Sequence, residues 1–113
     1  MNIVRAKEYH IENKKLKGHT ELKNYEKKLM YFINYIGEDK DINDITISMV
    51  KDYQLSLMKR PKKGNHLYEP VTEKQLSKAT VKSYMCDVRT FINDMHNEGI
   101  MDAQIGHRIK MPK

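Results

Sequence analysis

Apolar residues recur along residues 76–99 at the spacing of one face of an α-helix. The stripe comprises Val81, Tyr84, Val88, Phe91, Ile92 and Met95. Such a spacing places all of these side chains on the same side of a helix with 3.6 residues per turn, where they can be buried together. Ser77 is suited to cap the N-terminus and Gly99 to end the helix. We therefore predict a core helix over 77–98.

The same pattern occurs once more, with each apolar residue 59 positions before its counterpart. The earlier stripe comprises Leu22, Tyr25, Leu29, Phe32, Ile33 and Ile36. Thr20 can cap this helix and Gly37 can end it, which predicts a helix over 20–36. Because a solenoid needs three or more repeats, two copies favour a pair of equivalent helices that pack against each other in one core.

Two further helices are predicted from weaker patterns. Residues 3–17 form a ragged amphipathic stretch in which Val4 and Ile11 are expected to face inward. Tyr9 or Leu16 is a further inward candidate. Thr46 is suited to cap a helix over 47–59. The expected apolar side of that helix comprises Ile47, Val50, Tyr53 (or Gln54), Leu57 and Met58.

The connections complete the predicted architecture. Ile42 and Ile45 are expected to be buried against the underside of the core. Residues 60–76 are punctuated by proline and glycine and predict a long loop, and 109–113 read as an exit linker after one helical turn near 102–108. No strand-like alternation of useful length occurs. We predict an all-α fold, a single domain over residues 1–113 built as a four- to five-helix bundle.

Length and cysteine content bound the class of protein. The chain has 113 residues and one cysteine, Cys86, so an intrachain disulfide is impossible. This favours a reducing, intracellular compartment. No apolar run approaches the roughly 20 residues that cross a membrane, and the N-terminus lacks a signal-peptide core. We expect a cytoplasmic protein that does not associate with membranes.

The net charge of +6 is unevenly distributed. Residues 1–37 carry eight Lys/Arg against four Asp/Glu, and residues 60–89 carry seven against three, whereas 38–59 are net acidic. Both basic segments include the start of a repeated helix and the chain that leads into it. A nucleic-acid surface explains this asymmetry, and a solvated lysine-rich surface is the alternative.

Candidate DNA contacts follow from the polar faces of the two repeated helices. Helix N-termini offer free N–H groups and partial positive charge to phosphates, and lysines beside small hydroxyl and amide groups suit phosphate positioning. The basic loop could also reach a phosphate backbone. The candidates are Thr20, Lys23, Asn24, Lys27 and Lys28; Arg60, Lys62 and Lys63; and Ser77, Lys78, Thr80, Lys82 and Ser83.

The sequence contains no motif for catalysis, a metal or a cofactor. The five histidines make neither an HExxH motif nor a zinc-finger spacing, and no phosphate-binding glycine loop or GxSxG motif occurs. Cys86 lies in the middle of a predicted helix and is interpreted as a packing residue. We therefore predict no catalytic residue, no metal site and no cofactor.

Each of the two repeated helices carries a motif of defined spacing. The later motif comprises Leu76, Ser77, Thr80, Tyr84 and Phe91, followed by Glu98-Gly99-Ile100; the earlier one comprises Lys17, Gly18, Thr20, Tyr25 and Phe32. In their order along residues 5–113, these motifs resemble the core-binding, SAM-like domain of tyrosine recombinases, the phage-integrase family. Residues 44–46 and 111–113 fit as well. The sequence departs from the family pattern at Glu21 and at Asp102-Ala103-Gln104, and its 60–76 loop is longer.

The resemblance implies a DNA-binding clamp for site-specific recombination in a phage or another mobile element. It implies that a C-terminal catalytic domain of the same parent chain cuts DNA, so that this fragment binds double-stranded DNA without cutting it. The isolated domain is then expected to be monomeric and the parent to oligomerise on DNA. Two alternatives remain, a helical transcription regulator and a protein-interaction module. The interaction module would use exposed methionines, among them Met30, Met49, Met58 and Met85.

Overall fold

The computed structural model of the chain describes residues 1–59 and 78–109. The α-helices of this part are α1 Ile3–Leu16, α2 Lys23–Ile36, α3 Ile47–Lys59 and α4 Lys78–Asn97, with short 3-10 turns at Ile42–Asp44 and Gly106–Arg108. Neither described range contains a β-strand, which confirms the all-α fold class. The predicted loop over 60–76, the Ser77 cap and the linker beyond residue 109 lie outside the described residues.

The two apolar stripes meet in one core between α2 and α4. Leu29, Phe32, Phe91 and Ile92 are fully buried there. Phe32 and Tyr53 of α3 pack in a T-shaped arrangement, with ring centroids 5.1 Å apart. Large apolar side chains of this kind each stabilise the fold by roughly 1.5–3 kcal/mol on burial. The repeated pattern therefore marks the helix pair at the centre of the bundle.

Helices α2 and α4 run antiparallel, because their contacts follow opposite orders along the two sequences. The Tyr25 hydroxyl lies 3.4 Å from the backbone carbonyl of Asp87. One turn later in α2, Lys28 donates a hydrogen bond to Ser83, which precedes Asp87 by one turn in α4. As a result, the first turn of α2 lies beside the middle of α4, and not beside its first turn.

The residues predicted to end or cap the helices do so at Gly37 and Thr46, but not at Thr20. Helix α2 begins at Lys23 with Leu22 at its cap position and no capping side chain, so the prediction that Thr20 caps this helix is wrong. At the other end, Gly37 has a φ of 123°, which suits glycine because it has no Cβ. The hydroxyl of Thr46 accepts a hydrogen bond from the Met49 amide and caps α3 as predicted.

Helix α1 turns Ile11 to the core and packs Val4 against it, as predicted, but the further inward candidates, Tyr9 and Leu16, face solvent. Ile3, Ala6 and Ile11 are buried, whereas Tyr9 is 41% exposed and Leu16 is 85% exposed. Interpreting Tyr9 or Leu16 as an inward residue is therefore wrong. The reason is that His10 occupies the inward position, where hydrogen bonds compensate for the burial of its ring.

The connection between α2 and α3 closes one end of the bundle. Ile42 and Ile45 are buried, as expected. Asn43 accepts a hydrogen bond from the Asp102 amide, which ties this connection to the segment after α4. In α3, Met58 is 45% exposed and does not belong to the buried side predicted for it.

Candidate nucleic-acid interface

Four exposed residues among the predicted DNA contacts lie at the start of α2 or just before it. Thr20 precedes the helix, and Lys23, Asn24 and Lys27 lie on its solvent side; all four are exposed. The N-terminal amide groups of a helix carry partial positive charge, and exposed lysines beside them add full charges. This segment can therefore attract phosphate groups and donate hydrogen bonds to them.

Lys28 and Ser83 belong to the seam between α2 and α4. The Lys28 ammonium donates to the Ser83 hydroxyl at 2.8 Å and lies 3.7 Å from a carboxylate oxygen of Asp87. Lys28 is thus paired within the protein, and its charge is partly compensated. Lys23 and Lys27, in contrast, are exposed, so their charges are more accessible to an external partner than that of Lys28.

The other predicted contacts lie in the first turns of α4 or before it in the sequence. Lys82 is exposed and Thr80 is half-buried in the first turns of the helix. Lys78 is the first residue of α4. The remaining predicted contacts, Ser77 and the loop residues Arg60, Lys62 and Lys63, lie outside the described residues. Lys27 and Lys82 adjoin Lys28 and Ser83, which are in contact, so these two exposed lysines lie at a similar level of the seam, whereas Lys23 lies nearer the end at which α2 begins.

An open polar groove of about 350 Å³, the α1–α4 groove, lies between the C-terminal half of α1 and the second half of α4. Its walls include Lys14, Lys17, Arg89, Asn93, Asp94 and Asn97. These residues are not among the contacts predicted from the sequence. The signal that could have found them is weak, because only the spacing of Lys14 and Lys17, one turn apart in sequence, points to a shared surface.

A buried histidine forms the floor of the α1–α4 groove and links three helices. His10 of α1 is 1% exposed. Its Nδ1 lies 2.6 Å from a carboxylate oxygen of Asp94 on α4, and its Nε2 lies 2.6 Å from the hydroxyl of Tyr25 on α2. Because a carboxylate only accepts, Nδ1–H donates to Asp94, and in the neutral ring Nε2 accepts from Tyr25.

Burial sets the protonation of this network. Burial lowers the pKa of His10, against the opposing effect of the Asp94 carboxylate, so the neutral ring is favoured at neutral pH. Burial also raises the pKa of Tyr25, with the nearby Asp87 and Asp94 acting in the same direction. Tyr25 therefore stays protonated, and its one hydroxyl hydrogen is donated to the nearer acceptor, His10 Nε2 at 2.6 Å, in preference to the Asp87 carbonyl at 3.4 Å. At the seam, burial raises the pKa of Asp87 while Lys28 opposes that shift.

Other kinds of site find little support in the described part of the chain. No group of three or more His, Cys, Asp or Glu side chains that could hold a metal ion occurs within residues 1–59 and 78–109. The helices of the same ranges include none long and apolar enough to cross a membrane. The methionines suggested for an interaction surface do not form a common patch, since Met85 is fully buried and Met58 is exposed.

These observations define an all-helical domain with a basic, polar face. Comparison with protein families gives a more specific result, because residues 2–110 match the family described as phage integrase SAM-like domain. This match spans nearly the full chain, and the chain belongs to that family. The resemblance indicated by the motifs is thereby confirmed. None of the curated proteins and none of the solved structures compared with the chain matches it.

Proposed function

We propose that this chain is the DNA-binding clamp domain of a site-specific tyrosine recombinase. It contacts the core half-site during DNA integration or recombination, and a C-terminal catalytic domain of the same parent chain cuts and rejoins the strands. The observation that carries this proposal is the membership in the phage integrase SAM-like family, together with the exposed basic surface on the first half of α2. In this proposal the domain itself binds DNA without cutting it, and the parent oligomerises on DNA.

The antiparallel helix pair has dimensions that suit a DNA groove. Tyr25, in the first turn of α2, lies beside Asp87, which is nine residues beyond the start of α4. At about 1.5 Å per residue, the two helix starts are separated by roughly 14 Å along α4. The major groove of DNA is about 12 Å wide. Lys23, in the first turn of α2, and Lys82, in the first turns of α4, can therefore approach phosphates on both sides of one groove, with Lys27 between them along the seam.

Contacts with phosphates should dominate DNA binding, so the affinity should decrease as the salt concentration rises. If about three to six phosphates are neutralised, the logarithm of the binding constant should fall with the logarithm of salt concentration with a slope near −3 to −5. Fluorescence anisotropy with a labelled DNA duplex of about 25 base pairs measures this slope. The absence of binding at low salt, or binding indifferent to salt, would contradict the proposal.

Lysine variants locate the contacts. Lys23→Ala, Lys27→Ala and Lys82→Ala remove exposed side chains and should change the free energy of unfolding by less than about 0.5 kcal/mol. Each variant that removes a lysine–phosphate pair should flatten the salt slope by about one unit. Lys51→Ala is the matched control, because Lys51 is an exposed lysine on α3, outside the α2–α4 seam. A protein-interaction module predicts that all four variants bind DNA as the unaltered protein does.

A further inference from the structure

The α1–α4 groove has the charge and the chemistry of a phosphate-binding surface. Lys14, Lys17 and Arg89 supply three cations, against the single carboxylate of Asp94 on its walls. That carboxylate accepts a hydrogen bond from the buried His10. One acceptor oxygen is therefore already engaged inside the protein, and the groove keeps an excess of positive charge for an external partner.

Amide side chains add hydrogen-bonding groups between these cations. Asn93 and Asn97 project from successive turns of α4 into the groove. Asn93 packs closely against Gly106 in the segment after α4, since a Cβ added at Gly106 would lie only 1.8 Å from its side-chain oxygen. An amide beside lysine and arginine is a combination that proteins use to hold the sugar–phosphate backbone.

The groove is continuous with the proposed interface on α2. The Lys14 ammonium lies 4.7 Å from the centre of the Tyr25 ring, in the first turn of α2. His19, which also lines the groove, directly precedes Thr20 in the sequence. A DNA strand that contacts the start of α2 could therefore extend along the surface into the adjacent α1–α4 groove.

We infer that the α1–α4 groove is a second phosphate-binding site, which holds the backbone of the same DNA duplex beyond the contacts made by α2. Lys17 and Arg89 pair with phosphates from opposite walls, and Asn93 and Asn97 donate hydrogen bonds between them. The inference rests on the proposed function, but it assigns contacts to α1 and to the second half of α4. The partner is the phosphate backbone of duplex DNA, so these contacts carry no sequence preference of their own.

The inference is tested with Lys17→Ala and Arg89→Ala, singly and together, in the anisotropy assay with the labelled duplex. Both side chains are exposed, so their removal should leave the fold intact, and circular dichroism verifies this. From a slope of about −0.9 per phosphate, each contact contributes roughly eightfold to affinity at 0.1 M salt. Each single variant should therefore bind roughly eightfold more weakly, and the double variant should flatten the salt slope by about two units.

Lys15→Ala is the matched control for this experiment. Lys15 is exposed on the same turn of α1, is paired with Glu12 at 3.7 Å and does not line the groove. It should bind the duplex as the unaltered protein does. If the unaltered protein fails to bind the duplex, the proposed function fails. If it binds, and the Lys17 and Arg89 variants match Lys15→Ala, the groove is not a phosphate site and the inference alone is overturned.

Discussion

Removing one hydroxyl group from Tyr25 should measurably destabilise the protein. Tyr25→Phe keeps the aromatic ring but removes the donor that lies 2.6 Å from Nε2 of His10. The His10 ring is 1% exposed, so its nitrogen would be left as a buried acceptor without that partner. An unsatisfied buried group of this kind costs about 1–3 kcal/mol. The free energy of unfolding should fall by this amount, out of a total of about 5–15 kcal/mol for a typical domain.

Urea denaturation followed by circular dichroism measures the effect. With a slope of about 1 kcal/mol per molar urea, the midpoint should decrease by roughly 1–3 M. Tyr35→Phe is the matched control, because Tyr35 is 48% exposed on the same helix and should lose less than about 0.5 kcal/mol. A Tyr25→Phe midpoint equal to that of the control would refute the reasoning, since it would mean that the hydroxyl does not stabilise the buried histidine.

Two further predictions concern the core and the response to pH. Phe32→Ala and Phe91→Ala each remove a fully buried ring and should each lower the free energy of unfolding by about 3–5 kcal/mol, as measured by urea denaturation. Because burial lowers the pKa of His10 from 6.5, the unfolded chain binds a proton more readily than the folded one below that pH. The contribution of the neutral His10 to stability should therefore be complete above pH 6.5 and decline as the pH falls towards the folded-state pKa of His10. His10→Gln should reduce this decline in urea midpoints measured from about pH 7.5 to about pH 5.

The central helix pair could be predicted from sequence because its signal is local. Each stripe of apolar residues repeats within a single helix, and the residues that end the helices act on neighbouring backbone groups. Phe32, Phe91 and Ile92 were assigned to the core in this way and are fully buried. The family motifs lie on the same two helices, which is why the resemblance could also be identified from sequence.

Helix α1 shows where prediction from sequence fails. His10 and Lys7 occupy inward positions of α1, and both are polar, so the apolar pattern pointed to other residues. Each is stabilised by a partner distant in sequence: His10 by Asp94, and Lys7 by Glu26, at 3.2 Å. Hydrophobic periodicity contains no information about such pairs.

The candidate interface also contains residues that could be predicted from sequence and residues that could not. The exposed lysines of α2 could be selected from helix geometry and charge alone. The α1–α4 groove could not, because it depends on how α1 crosses α4, which is determined by tertiary packing. Lys28 illustrates the reverse case, since its pairing with Ser83 and Asp87 gives it a structural role that its position in a basic segment did not indicate.

Two acidic residues of α4 near the proposed interface, Asp87 and Asp94, are paired inside the bundle, which bears directly on its function. Asp87 and Asp94 lie on the side of α4 that faces the seam and the groove, where free carboxylates would repel phosphate. Asp94 accepts from His10 at 2.6 Å, and Asp87 lies 3.7 Å from the Lys28 ammonium. Both carboxylates are therefore directed towards partners within the bundle, whereas Lys23, Lys27, Lys17 and Arg89 remain exposed. The face consequently presents mainly positive charge to its surroundings, which is the condition that contact with a phosphate backbone requires.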